Sequence, residues 1–235
     1  EPQRYLAKKM HLTNSEDAFI PGGRYHNFRD LMSFPKLDIT RGYYKPLASH
    51  EHPHLVKYES YFDAIKSKDV LLHFPYQSFN HIIDLLKEAA VDPKVKSIKI
   101  CLYRVAKRSK VVNALINAAR NGKHVVVVFE LQARFDEENN IYWSNVLENE
   151  GVDVLFGFPG LKVHSKVCVI SRKERGQQMQ YAIVGTGNYN ESTASLYTDF
   201  SLLTADKRIT KEVEKVFEIV EQFIWRNYRF QHLLV

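Results

Sequence analysis

Between Gly160 and Ile170 the sequence reads GLKVHSKVCVI, with one histidine set between two lysines at alternate positions. Successive side chains of an extended chain point to opposite faces. As a strand, this run turns Leu161, Val163, Ser165, Val167 and Val169 one way and Lys162, His164 and Lys166 the other. Like charge disfavours a protonated imidazole, so the two ammonium groups keep His164 neutral with its lone pair available. A neutral imidazole nitrogen can attack phosphorus, while lysines neutralise phosphate oxygens as charge shifts in the transition state. After a polar loop comes YAIVGTGNYNES. Here the backbone N–H groups of Gly185, Thr186 and Gly187 and the amide of Asn188 are candidate donors to an oxyanion. A surface strand carrying a histidine, followed by a glycine turn, is the plainer alternative.

The elements that must position these groups are legible from Asp69 onward. DVLLHFP reads as a short strand, and SFNHIIDLLKEAA as a helix capped by Ser78 with Phe79, Ile82, Ile83 and Leu86 on one face. SIKICLY is a strand, and SKVVNALINAARNG a helix capped by Ser109 and closed by Gly122. The β-branched run KHVVVVFEL predicts a strand covered on both faces. DEENNIYWSNVLENEG predicts a helix with acidic residues in its first turn, and VDVLFGF, LKVHSKVCVIS, YAIVGTG and DFSLLTA further strands. A last helix runs from Ile209 to about Arg226 with a Val213, Val216, Phe217, Val220, Phe223 and Ile224 stripe turned to the core. Strands alternating with helices predict an α/β fold with a mixed, largely parallel sheet and helices on both faces. The region 66–235 is the expected catalytic domain, and 1–65 a short irregular extension that ends a preceding domain and links it.

The chain of 235 residues is 45% hydrophobic and 26% charged, an ordinary globular balance, and has no apolar run of membrane-spanning length. Cys101 and Cys168 fall in strand-like runs and read as buried thiols, which fits a reducing, cytoplasmic compartment. The net charge is +6. Positions 93–129 hold nine Lys or Arg and no Asp or Glu, which suggests an anion-binding surface. Arg104 and Arg134 each follow an apolar strand, SIKICLY and KHVVVVFEL, where open α/β sheets bind ligands. The HEHPH run of His50, His52 and His54 has a proline inside and no cysteine nearby, a poor zinc pattern.

H-x-K followed by G-T-x-N resembles half of the phospholipase D superfamily signature, although the acidic residue usual after the lysine is not at its expected place. The wider text, PGGRYHNFRD, DVLLHFPYQSF, LYRVAKRS, ELQARFDEENNI, GLKVHSKV and GTGNYNESTASLYTDFSLLTAD, resembles bacterial polyphosphate kinase of the first type from about Pro21 to the end. The resemblance implies reversible transfer of the ATP γ-phosphate to inorganic polyphosphate through a phosphohistidine at His164. It implies a nucleotide-binding role for Tyr197, and a magnesium–phosphate role for Arg104 and Arg134. Arginine has no lone pair for a metal, so their guanidinium groups are expected to clamp phosphate oxygens that Mg2+ also bridges. Lys162, Lys166 and Asn188 complete the expected phosphate contacts.

By the same resemblance the chain holds the end of a head region and the first of two phospholipase D-like domains. The second domain would be a required partner, with homo-oligomerisation open. ATP, ADP and polyphosphate are the expected ligands, with no nucleic acid; the setting is cytoplasmic, with peripheral membrane association open. Two other readings stand beside it. A phospholipase D-like phosphodiesterase or nuclease would use the same histidine on a diester, and a non-catalytic polyanion-binding module would use the basic 93–129 stretch.

Overall fold

A computed structural model describes residues 2–12, 28, 31, 44–45, 47–130, 137–158, 162–222 and 228–233. Two compact units divide at Pro46/Leu47. The first contains helix α1, Pro2–Lys9. Among the described residues, the second carries a 3-10 turn, Leu55–Lys57, followed by helices and strands. In chain order these are α2 Tyr61–Ser67, β1 Val70–Phe74, α3 Asn80–Val91, β2 Val95–Leu102, α4 Lys110–Arg120, β3 His124–Phe129 and α5 Glu137–Asn149. There follow β4 Asp153–Phe156, β5 Val167–Glu174, β6 Gln177–Gly185, α6 Glu191–Ala194, β7 Asp199–Thr204 and α7 Lys207–Gln222. No helix among the described residues is long and apolar enough to cross a membrane.

The seven strands form one sheet in the order β1-β7-β6-β5-β2-β3-β4. Strand alternation divides its two faces. Ile98, Ile100 and Leu102 of β2, Val125, Val127 and Phe129 of β3, and Cys168 and Ile170 of β5 pack against α2, α3, α4 and α5. Cys101, Val128, Val167, Val169 and Ala182 face the other way, onto Val213, Val216, Phe217 and Val220 of α7. Helices therefore cover both faces, as the sequence predicts; Phe223 and Ile224 of the predicted stripe lie outside the described residues. Both cysteines are buried, and burial pushes the Cys101 thiol up to about 11. At α4 the Ser109 side chain accepts the N–H of Val112 at 3.2 Å, and Gly122 closes the helix with φ +75°, a conformation that glycine adopts without Cβ strain. At α3 the expected cap is displaced: the helix begins at Asn80, and the Ser78 hydroxyl accepts the N–H of Asn80 at 3.3 Å.

The sheet is mixed, but its balance is the reverse of the expectation. Only the β2–β3 and β3–β4 pairs are parallel, joined through α4 and α5. The pairs β1–β7, β7–β6, β6–β5 and β5–β2 are antiparallel. For β5 and β6 the physical reason lies in the polar loop between them. Glu174 pairs with Gln177, leaving Arg175 and Gly176 as a two-residue turn with φ +47° and +80°. Positive φ at both central positions is the turn whose twist matches a hairpin, so β6 must fold straight back on β5.

Candidate functional site

The C-terminal ends of β2, β3 and β6 and the start of β5 meet at one end of the sheet, and the histidine–lysine run lies there. The expected strand does not extend through it. Residues 162–166 lie outside any strand and β5 begins at Val167. The N–H of Val163 is taken instead by a side chain, Glu130 Oε2, at 2.7 Å. Glu130 is buried just past β3. The alternation survives in part, since Val163 packs on the α7 side with Val167 and Val169 while His164 and Lys166 contact Tyr103. Leu161 lies outside the described residues.

Tyr103, the residue after β2, organises the cations. Its ring meets that of His164 edge-on at 5.0 Å and 81°. The Lys166 ammonium lies 4.9 Å from its centroid and the Arg104 guanidinium carbon 6.0 Å away. Lys166 is only 6% exposed, and its Nζ donates to the carbonyl of His164. Burial lowers its pKa to about 8, with the Arg104 charge acting the same way and Asp199 opposing. Partial desolvation and then the Lys166 ammonium lower the pKa of His164, with Lys162 adding to the effect and Glu130 resisting it. The imidazole is thus neutral near pH 7, exposed, and beside a buried ammonium.

The GTGN segment contributes differently from the expectation. The Gly185 N–H donates to the carbonyl of Lys166 at 2.8 Å and that of Thr186 to the carbonyl of Phe200 at 3.0 Å, so sheet pairing consumes both. Thr186 Oγ1 donates to Asp199 Oδ1 at 2.7 Å and accepts the N–H of Phe200 at 3.0 Å. A Cβ on Gly187 would sit 2.5 Å from Asp199 Cγ and Oδ2, so glycine is what admits the carboxylate. Asn188 keeps a buried Oδ1 without a hydrogen-bond partner among the described residues. Asn190 caps α6 through its Oδ1, while its Nδ2 donates to the carbonyl of Arg104 at 3.4 Å.

The structure therefore brings His164, Lys166 and Arg104 together around Tyr103. Lys162 is exposed and acts on His164 through its charge, and Tyr197 is 56% exposed beyond α6. Arg134 lies outside the described residues. Tyr103, Glu130 and Asp199 stand in the blocks LYRVAK, FELQARF and LYTDF, but their types alone give no signal in the sequence. No cluster of three or more His, Cys, Asp or Glu side chains suited to a metal occurs among the described residues. In HEHPH the His52 N–H donates to His81 Nε2 at 2.8 Å, and His54 Nε2 lies 3.1 Å from the carbonyl of Ala64.

The fold is phospholipase D-like. It is that of a phospholipase D family member, Nuc from Salmonella typhimurium, at TM-score 0.50 and 19% identity over 69% of this chain and 98% of that one. Residues 60–225 match polyphosphate kinase C-terminal domain 1, and the chain belongs to the polyphosphate kinase family. The polyphosphate kinase of Vibrio parahaemolyticus is 52% identical over 98% of this chain and 33% of its own length. That of Escherichia coli K12 is 52% identical over 93% and 32%. The crystal structure of the Porphyromonas gingivalis polyphosphate kinase superposes at TM-score 0.73 with 37% identity, over 90% of this chain and 35% of that one. The chain thus spans about a third of the length of these relatives.

Proposed function

We propose that this chain is the nucleophile-bearing part of a polyphosphate kinase, in which His164 receives the γ-phosphoryl group of ATP and passes it to the end of an inorganic polyphosphate chain. The observation that carries this reading is the exposed, neutral His164 imidazole set beside the buried ammonium of Lys166 in a member of this family. In the first step an imidazole nitrogen gives its lone pair to phosphorus, the bond from phosphorus to the bridging oxygen breaks, and ADP leaves with those electrons. In the second step a terminal oxygen of polyphosphate attacks the same phosphorus, the N–P bond breaks, and the lone pair returns to the ring. The reverse sequence regenerates ATP.

Lys166, Lys162, Arg104, Arg134 and Asn188 would bind phosphate oxygens, and the exposed Tyr197 would stack on the nucleotide base. Arg104 and Arg134 do not fit a protein-built magnesium site, because a guanidinium offers no lone pair and the described residues gather no ligating cluster. Magnesium would then enter as part of the Mg–nucleotide substrate, held by its phosphates. A cytoplasmic setting, where ATP is abundant, belongs to the same proposal.

The test is intact-mass and acid-lability analysis after incubation with Mg–ATP, on a polypeptide of the relatives' full length and its His164→Ala variant. An acid-labile gain of one phosphoryl group that the variant loses is the expected result. A label that survives the substitution, or cleavage of diesters without phosphorylation, would overturn the reading.

A further inference from the structure

We propose that the exposed cations following Arg104, together with the cleft beside them, form a second anion subsite that holds the polyphosphate chain away from the reacting phosphate. This rests on the polyphosphate reading above. The structure sorts the acid-free stretch 93–129 into two groups. Some of its cations are already engaged: Lys99 lies 2.7 Å from Glu214 and 2.9 Å from Glu221, Arg120 pairs with Glu150 at 2.6 Å, and Lys123 Nζ donates to the carbonyl of Asp92 at 2.6 Å. Lys107, Arg108 and Lys110 are exposed and make no ion pair among the described residues.

Arg108 and Lys110 line a cleft of about 340 Å³ between the starts of α3 and α4 and the short α6, with Ser78, Asn80, Gln77 and Ser195 supplying neutral hydrogen-bonding groups. The one carboxylate in its wall, Glu191, turns one oxygen to donors of the protein, while its Oε2 is buried without a hydrogen-bond partner among the described residues. Its Oε1 accepts the N–H groups of Lys110 and Val111 at 2.5 and 3.3 Å and the Ser109 hydroxyl at 3.5 Å. These donors at the positive end of α4 offset its charge.

The cleft is tied to the His164 end of the sheet. Tyr103 and Arg104 open the loop that Arg108 and Lys110 close, a reach of at most about 25 Å. Asn190, hydrogen-bonded to the Arg104 carbonyl, caps the helix that carries Glu191 and Ala194 into the cleft wall. Exposed cations bind any single phosphate weakly, because water screens them. A ligand that repeats its charge along a flexible chain engages several at once and gains by multivalency. The chemistry fits a linear polyanion better than a single phosphate.

The test compares a polypeptide of the relatives' full length with its Arg108→Ala/Lys110→Ala variant, measuring binding of long-chain polyphosphate and of tripolyphosphate across a salt series. Both side chains are exposed, so thermal unfolding of the variant should match wild type and serves as the fold check. The expected result is roughly tenfold weaker long-chain binding, a log–log salt slope shallower by about 2, and tripolyphosphate affinity within about twofold of wild type. Long-chain affinity unchanged by the substitutions, or an equal loss for both ligands, would overturn the subsite while leaving the kinase reading standing. Failure of the wild-type chain to bind either polyphosphate would overturn both.

Discussion

The rings of Tyr103 and His164 meet edge-on at 5.0 Å, and the same tyrosine presents its face to the buried ammonium of Lys166 at 4.9 Å. One aromatic side chain thus sets the position of the proposed nucleophile and of the charge that keeps it neutral. Aromatic edge contacts and cation–π contacts each contribute about 0.5–2 kcal/mol. Tyr103→Ala should therefore lower the rate of His164 phosphorylation about tenfold. Tyr103→Phe, which keeps the ring, should stay within about threefold of wild type. Single-turnover kinetics with labelled ATP in a full-length polypeptide would check both, and equal losses would show that the hydroxyl, not the ring, matters.

The pH profile of phosphorylation should have two limbs. As the proposed nucleophile, His164 would react only when neutral, so the rate should rise with pH through its lowered pKa, below the ordinary 6.5. In the proposed reaction Lys166 would support phosphate only when charged, so the rate should fall again as pH passes about 8. Lys166→Arg should remove the alkaline fall, since a guanidinium stays charged there. A fall above pH 8 that persists in this variant would assign it to another group.

Lys166 should also cost stability. Its folded pKa lies below its unfolded value, so the unfolded chain binds more protons between about 8 and 10.5, and stability rises with pH across that window. At pH 7 the full penalty of burying the charge is present. Lys166→Met should then raise stability at pH 7 by roughly 2 kcal/mol in denaturant unfolding while abolishing phosphorylation.

Gly187→Ala would drive a Cβ to 2.5 Å from the carboxylate of Asp199. Asp199 is hydrogen-bonded by Thr186 and opposes the lowering of the Lys166 pKa. The substitution should cost about 1–3 kcal/mol of stability by steric crowding. It should also shift the alkaline limb of the pH profile to lower pH as Asp199 is displaced, a change that a loss of stability alone would not produce.

At the far end of the sheet, Glu174 receives hydrogen bonds from Lys66, Tyr181 and Arg172, and Arg172 also reaches Asp92 at 2.7 Å. Burial on its own would raise the pKa of Glu174, but these donors bring it down to about 2. The contribution is complete above the ordinary value of 4.5 and is lost as pH falls towards 2. Thermal unfolding of wild type should fall steeply across that window, and Glu174→Gln should flatten the fall.

The residues alone determine the run from β2 to β4, because helix and strand periodicity, the Ser109 cap and the closing Gly122 are all short-range signals. They also mark His164, Lys166 and Arg104, since a histidine between two lysines and an arginine after an apolar strand are unusual in composition and spacing. Strand direction was harder to read: Arg175-Gly176 looks like any polar loop until its two positive φ values fold β6 back on β5. Tyr103 and Glu130 acquire their roles only by contact, the one against His164 and Lys166, the other through the N–H of Val163, 33 residues further along. The burial of Lys166 is likewise a property of the assembled sheet end. Periodicity and capping act over a few residues and are written locally, whereas pKa shifts and ring contacts depend on which distant segments the fold brings within a few ångströms.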